Sequence, residues 1–281
     1  MEQLPELPKS IRILKPIEAE FLSATAVGRK WRTPKDCLIC KGTKSFKWYS
    51  SRPNESETVV DWECNCVDQW IMHRYFLVHG IPLLYQQLGL RDTKSVNRDA
   101  LLSVLTYLEN AVDHLDSGTG LYLYGPNGTG KTMLGTLVLK TIMSQGYSGY
   151  WTTFIDLIEG KKAGFDNPEA KEWFVRQIKN SDFLLIDDPG KEQTSGERQI
   201  GFQTSLLDEV VRHRNGMQLP TIITANYSPE VFEQRYGQSI ASLLTEGQIS
   251  VPFYGEDFRN EAKRLGLEIR QQGLSRPIII R

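Results

Sequence analysis

The sequence has no apolar run long enough to cross a bilayer, and its start, MEQLPELPKS, lacks the basic-then-apolar order of a secretory leader. Those absences set the expectation of a cytoplasmic protein with no membrane partner. Cysteine is scarce: four residues in 281, all between positions 37 and 66, so a disulfide framework spread over the chain is excluded. An excess of charge is missing too. With 33 Lys and Arg against 34 Asp and Glu the net charge is −1, which argues against a uniformly basic nucleic-acid binder. What remains is an ordinary globular composition, 40% hydrophobic and 24% charged, in a chain long enough for one α/β core and a smaller module.

The average hides an asymmetry. Lys9 to Lys47 carries ten Lys and Arg against three Asp and Glu, with Trp31 and Phe46 inside the window. That composition suits an acidic partner or a nucleic-acid backbone; the alternative is a solvated basic face. Residues 1–30 read as an extension in which Ile17, Phe21 and Leu22 could line a short helix that docks on a partner.

Residues 31–90 form the smaller module. Cys37 and Cys40 make a CxxC pair and Cys64 and Cys66 a CxC pair, separated by twenty-three residues. Two chain-adjacent pairs of thiolates can each grip one edge of a tetrahedral Zn²⁺ site, and the stretch between them reads as two strands about a Pro-Asn turn. Disulfides or free thiols are the alternatives, and His73 could replace one thiolate. Residues 91–98 are polar and form the expected linker, and residues 99–281 the larger domain.

That domain is organised around Leu121 to Thr132, LYLYGPNGTGKT. A short apolar strand runs into Gly125, Pro126, Asn127, Gly128, Thr129, Gly130, Lys131 and Thr132, which fits GxxxxGK followed by Thr at every fixed position. Glycines let successive backbone N–H groups face one anion, and the helix that starts at the lysine adds its positive end. Lys131 can then reach the outer phosphates of a nucleotide while the Thr132 hydroxyl joins the shell of a Mg²⁺ ion. Some fifty residues on, Phe183 to Asp188 reads FLLIDD, a run for a strand buried on both faces, ending in two carboxylates. At the carboxyl end of such a strand Asp187 would hold the Mg²⁺ shell and Asp188 would orient or deprotonate water. Leu219 to Ala225 is another buried strand, delivering Asn226 to the same end; the amide either positions water near the γ-phosphate or only opens the next turn, where Ser228 is the expected helix cap. Lys161, Lys162 and Phe165, at a joint between two helices, could hold a single strand by charge and stacking; a solvated helix end with a core Phe is the other reading.

With these pieces together the chain resembles the AAA+ ATPases of the DnaC/DnaI helicase-loader family. The resemblance extends from about Cys37 to Arg259 through the cysteine module, HGIPLLY (His79 to Tyr85), GPNGTGKT, LLIDDPG (Leu184 to Gly190), TIITANYSPE (Thr221 to Glu230) and GEDFR (Gly255 to Arg259). It implies an α/β AAA+ P-loop domain with a central parallel sheet, preceded by a zinc ribbon. It further implies ATP and Mg²⁺ as cofactors, single-stranded DNA and a replicative hexameric DNA helicase as partners, and self-association on them. Asn226 would be the sensor 1 residue and Arg259 a sensor 2-like arginine reaching the phosphates in cis. One departure stands out: the helix YGQSIASLLTE, where the family carries an arginine finger for the neighbouring subunit, has no arginine. Arg235 is the nearest substitute and Arg214 the second. Two other functions fit the same pieces, a transposase-helper ATPase of the IstB kind acting on duplex DNA, and an adaptor that uses nucleotide as a switch with little turnover.

Overall fold

The computed structural model describes residues 45–50, 58–63, 72, 75–86, 88–93, 96–190 and 197–259. The chain divides into two compact units, Met1–Val78 and His79–Arg281. In the first, β1 (Ser45–Ser50) and β2 (Thr58–Glu63) pair antiparallel, Ser45 opposite Glu63 and Ser50 opposite Thr58, as expected of the stretch between the cysteine pairs. Cys37, Cys40, Cys64, Cys66, His73 and the basic window up to Lys44 lie outside the described residues.

The second unit is built on five parallel strands, β3 (Gly120–Tyr124), β4 (Gly149–Thr153), β5 (Phe183–Asp187), β6 (Thr221–Ala225) and β7 (Gln248–Pro252), in the spatial order β4-β5-β6-β3-β7. Parallel strands need crossovers, and the intervening helices supply them. One face of the sheet, with Leu184, Ile186 and Ile223, packs on α5 (Phe154–Asp166), α7 (Glu197–Gly216) and α8 (Pro229–Tyr236) through Phe154, Leu157, Leu207, Val210 and Phe232. On the other face α4 (Lys131–Ser144) lies close because Gly135 has no side chain; a Cβ there would meet Leu185, Thr224 and Leu123 at 3.1 to 3.4 Å. Alternation along β5 therefore sends Leu184 and Ile186 to one layer and Leu185 to the other, which is why the strand reads as an unbroken apolar run.

Several boundaries differ from the sequence expectation. The helix expected over 100–115 is two, α2 (Arg98–Glu109) and α3 (Ala111–Ser117), because Asn110 leaves the helical path at φ −107° and its side-chain amide bonds the Thr106 carbonyl at 2.8 Å. The element after α5 is α6 (Pro168–Phe174), capped by Asn167 through the N–H groups of Glu169 and Ala170, and it closes in a π turn over Val175–Lys179. Ser228 holds the N-cap position of α8 but makes no side-chain cap bond, contrary to expectation. α9 (Gln238–Gly247) follows Gly237, and it is the helix with no arginine. No helix among the described residues is long and apolar enough to cross a membrane.

Residues 79–98 group with the second unit rather than with the module and linker read from composition. The Trp151 N–H on β4 donates to the His79 carbonyl at 2.9 Å. The short helix α1 (Leu83–Gln86) is held from beneath by Lys140 of α4, a fully buried lysine whose ammonium donates to the carbonyls of Tyr85 (2.7 Å), Gln86 (3.2 Å) and Leu88 (2.6 Å). Burial pulls this amine down to about 7, opposed by the Asp92 carboxylate.

Candidate nucleotide site

β3 is buried along its first four residues and opens into the glycine loop at the carboxyl edge of the sheet. Gly125 takes φ +142°, and a Cβ there would fall 2.0 Å from the Phe253 carbonyl oxygen, so only glycine lets the loop leave the strand beside the end of β7. Gly130 caps α4 at φ +97° with no side-chain cap bond, which leaves the first N–H groups of the helix for an anion. Lys131 is buried and lies back across the loop, its ammonium donating to the carbonyls of Gly125 at 2.8 Å and Pro126 at 2.6 Å. Thr129 closes the same turn by donating to the Pro126 carbonyl at 2.9 Å.

The two carboxylates at the end of β5, Asp187 and the Asp188 that follows it, have separate partners. Asp187 Oδ1 accepts hydrogen bonds from the hydroxyls of Thr132, at 2.8 Å, and of Thr224. Asp188 Oδ1 accepts from the Asn226 amide at 2.6 Å, and its own N–H donates to the Thr224 carbonyl at 2.8 Å. Asp188 sits at φ 62°, a left-handed conformation for a residue with a side chain, of the kind that costs roughly 1–3 kcal/mol and persists where the surroundings hold it. β6 supplies that hold: Thr224 anchors the backbone of Asp188 and the side chain of Asp187, and Asn226 grips the second carboxylate. A threonine hydroxyl paired with a carboxylate is the hard-oxygen donor set that Mg²⁺ takes, so Thr132 and Asp187 fit such an ion.

The segment after β7 folds over the loop. The Phe258 N–H donates to the Gly128 carbonyl at 3.2 Å, a Cβ on Gly128 would meet the Asp257 carboxylate at 2.0 Å, and the Arg259 N–H donates to Asp257 Oδ1 at 2.9 Å. Lys131, Thr132, Asp187, Asp188, Asn226 and the backbone of Arg259 thus gather at one end of the sheet.

The arginine candidates separate. Arg235 is half-buried on α8 with its guanidinium 5.6 Å from the Tyr227 ring centre and 5.9 Å from that of Tyr236. Arg214 cannot serve as a finger. It is fully buried at the opposite end of the sheet, donating to Thr221 Oγ1 and to the carbonyls of Ile178, Lys179, Ser181, Asp182 and Pro220 at 2.7 to 3.3 Å. Its charge staples the amino-terminal ends of β5 and β6 to the end of α7.

Residues 86–246, more than half of the chain, match the family of the IstB-like ATP binding protein. The chain belongs to that family. ATP binding is the property its description carries, and the loop, carboxylates and sheet order described above agree with it. The IstB-like chain is 26% identical over 156 residues to the replicative helicase loader DnaI of Bacillus subtilis, an alignment covering 55% of this chain and 47% of that protein, so the chain spans about half the length of that relative. It is 22% identical over 192 residues to the replicative helicase loader DnaC of Escherichia coli K12, covering 67% of this chain and 76% of DnaC. A crystal structure of the DnaC helicase loader superposes with a TM-score of 0.54 at 27% identity, covering 62% of this chain and all of that one.

Within the IstB-like domain the residues considered for DNA fall into two kinds. Lys161 is tied to Glu209 at 2.9 Å, a carboxylate that also binds Lys179 at 2.7 Å, and it lies 5.4 Å from the Phe174 ring centre. Burial raises Glu209, and the hydrogen bonds from Lys161 and Lys179 outweigh it and hold the carboxyl below its ordinary range. Lys162 and Phe165 are outward. Lys162 pairs only along its own helix among the contacts described, with Glu159 at 3.0 Å, and Phe165 is 63% exposed with its ring edge-on to Phe202, so the core reading of this Phe is set aside. Among the described residues no three His, Cys, Asp or Glu side chains converge on a metal position.

Two site residues carried no assignment from sequence. Thr224 reads as one more β-former in TIITA, and the only signal was a hydroxyl, one of two, in a fully buried strand. Tyr85 reads as an apolar residue of HGIPLLY; it is half-buried, and burial first and the Asp187 charge second push its phenol above the ordinary value.

Proposed function

We propose that this chain is an ATP-dependent loader of a replicative hexameric DNA helicase. The observation that carries the reading is the joint arrangement of Thr132 with Asp187 and of Asn226 with Asp188 around the phosphate loop, taken with relatives named as replicative helicase loaders. On ATP binding Lys131 exchanges the Gly125 and Pro126 carbonyls for the outer phosphates, and the loop N–H groups cradle the rest. Thr132 and Asp187 would hold Mg²⁺, whose charge would offset that of the phosphates. Asp188 accepts the proton of the attacking water, Asn226 keeps that carboxylate aimed, and Arg259 adds positive charge in cis. Arg235, stacked on Tyr227, is the arginine offered to a neighbouring subunit in a homo-oligomer assembled on ATP and single-stranded DNA. Lys162 and Phe165 are the DNA contacts, with Lys161 positioned through Glu209.

The test is loading of a replicative helicase onto circular single-stranded DNA. Wild type with ATP should increase the helicase bound, and Lys131→Ala should leave it at the level seen without loader. Equal loading by the two proteins, or none by wild type, would sink the reading; preference for duplex DNA and a transposase in the same assay would favour the IstB-kind helper.

The amino-terminal module is proposed to hold one structural Zn²⁺ through Cys37, Cys40, Cys64 and Cys66 and to present the surface that meets the helicase. A hairpin of this size has too little core to persist without its metal. Cys64→Ser should lower zinc from one ion per chain to none by elemental analysis and leave nucleotide affinity unchanged. Zinc retained in full would overturn the four-cysteine site.

A further inference from the structure

Asp188 opens the turn that follows β5, and Gly190 stands at the downstream end of that turn. Pro189 lies between them, and both flanking residues are left-handed, Asp188 at φ 62° and Gly190 at φ +103°. A turn bent twice in this way persists only where its surroundings hold it. Its upstream end is held by the Thr224 carbonyl, which accepts the Asp188 N–H, and by the Asn226 amide on the carboxylate. Tyr227, the residue after Asn226, meets the downstream end.

The Tyr227 ring packs directly on Gly190. A Cβ built on that glycine would fall 2.4 Å from the ring's Cε2 and 3.3 to 3.4 Å from its Cδ2 and Cζ, so the ring fills the space that a side chain at 190 would need. The phenol also donates to the Gly190 carbonyl at 3.4 Å, a long bond that adds little to the packing. Tyr227 is in turn fixed from two other elements. Its own carbonyl accepts from the hydroxyl of Tyr122, a buried residue of β3, at 2.9 Å, and the Arg235 guanidinium of α8 lies over its ring at 5.6 Å from the centre. One ring thus links the turn after β5 to the middle of the sheet and to α8.

We propose that Tyr227 is a positioning residue for ATP hydrolysis: its ring seats the turn 188–190 and so keeps the Asp188 carboxylate in the left-handed pose from which Asn226 aims it. The proposal rests on the reading of Asp188 as the group that takes the proton of the attacking water. Affinity for the nucleotide is assigned to other groups, Lys131 and the loop N–H groups, so the ring bears on the rate of hydrolysis and not on binding. A misplacement of about 1 Å in such a group can cost about a hundredfold in rate. Tyr227→Ala removes the seat, whereas Tyr227→Phe removes only the hydroxyl and keeps it.

The experiment measures single-turnover ATP hydrolysis and the affinity for a fluorescent, non-hydrolysable ATP analogue on the same preparations of the full chain. Tyr227→Ala should hydrolyse about a hundredfold more slowly than wild type at unchanged affinity, and Tyr227→Phe should restore a rate close to wild type. In an Asp188→Asn background Tyr227→Ala should add no more than about twofold, the scatter of independent effects, since the group it positions is gone. A larger further loss in that background overturns the proposal, because the ring would then act on something other than Asp188. So does a wild-type rate in Tyr227→Ala, or a loss in Tyr227→Phe as large as that in Tyr227→Ala, which would give the role to the hydroxyl. Weakened analogue binding or a domain that fails to fold in Tyr227→Ala also overturns it, since the ring would then hold the whole site; thermal unfolding tells these two apart. A wild-type rate in Asp188→Asn alone overturns the base reading beneath the proposal, a distinguishable result.

Discussion

Asp188→Asn should bind ATP at close to the wild-type affinity and hydrolyse it about 10²- to 10⁴-fold more slowly, the range lost when a positioned general base is removed. The amide matches the carboxylate in shape, and asparagine tolerates the left-handed φ of 62° found at this position, so the loop and β5 keep their geometry. Binding should persist because the groups proposed to carry it lie elsewhere: the Lys131 ammonium, the loop N–H groups, and the Thr132 and Asp187 oxygens. What disappears is the acceptor that Asn226 aims at 2.6 Å. The check is single-turnover phosphate release beside a fluorescent-nucleotide titration on the same preparation. A hydrolysis rate within about tenfold of wild type would remove Asp188 from the base role. If wild type itself turns over no faster than the variant, the chain uses nucleotide as a switch, the outcome that the arginine-free α9 keeps in view.

Arg214→Met should cost about 3–5 kcal/mol of unfolding free energy, since several buried carbonyls lose their donor together and each acceptor left unsatisfied costs about 1–3 kcal/mol. Methionine fills much of the space but donates nothing, so the carbonyls of Ile178, Lys179, Ser181, Asp182 and Pro220 lose a shared donor in the interior. Set against a total stability of roughly 5–15 kcal/mol for a domain, that loss brings the core close to unfolding. Arg214→Lys rescues little, because an ammonium is a point donor and these acceptors surround a planar fork. Denaturant unfolding followed by a core probe gives the number. A loss under about 1 kcal/mol would mean that water replaces the guanidinium, and the staple would then be no more than a packing contact.

That the glycine loop, the two aspartates and Asn226 lie together at one end of the sheet was legible in the sequence because each follows or ends an apolar strand, and parallel strands in α/β proteins end on one side of the sheet. Element positions were legible for the same reason: FLLID and TIITA are too apolar to lie anywhere but inside. Arg214 was misread because charge near the end of an amphipathic helix reads as surface. Its burial is made possible by carbonyls from two chain segments, the turn at 178–182 and Pro220, whose convergence no local pattern announces. Thr224 and Tyr85 were missed for the reverse reason. Both satisfy a structural reading, β-former and apolar ring, and only the fold shows that the Thr224 hydroxyl meets Asp187 and that the Tyr85 phenol feels the Asp187 charge. The boundary near residue 79 was hidden likewise, since what ties 79–93 to the ATP domain is Lys140, a residue some fifty positions downstream that looks like any solvated lysine.

The strand order has a consequence for synthesis. β3, which feeds the phosphate loop, is the first strand of its sheet to leave the ribosome, but it pairs with no strand made soon after it. Leu121 lies opposite Ile222 on one side and Ile249 on the other, the two strands translated last. Until those arrive, an apolar strand and its glycine loop have no ladder to join. Contacts so distant in sequence form slowly, and unpaired edges invite association in the interval. A nascent chain stalled before β6 should therefore be unable to bind nucleotide. The glycine loop gains both its neighbours only once β6 and β7 have been made, well after β1 and β2 have emerged.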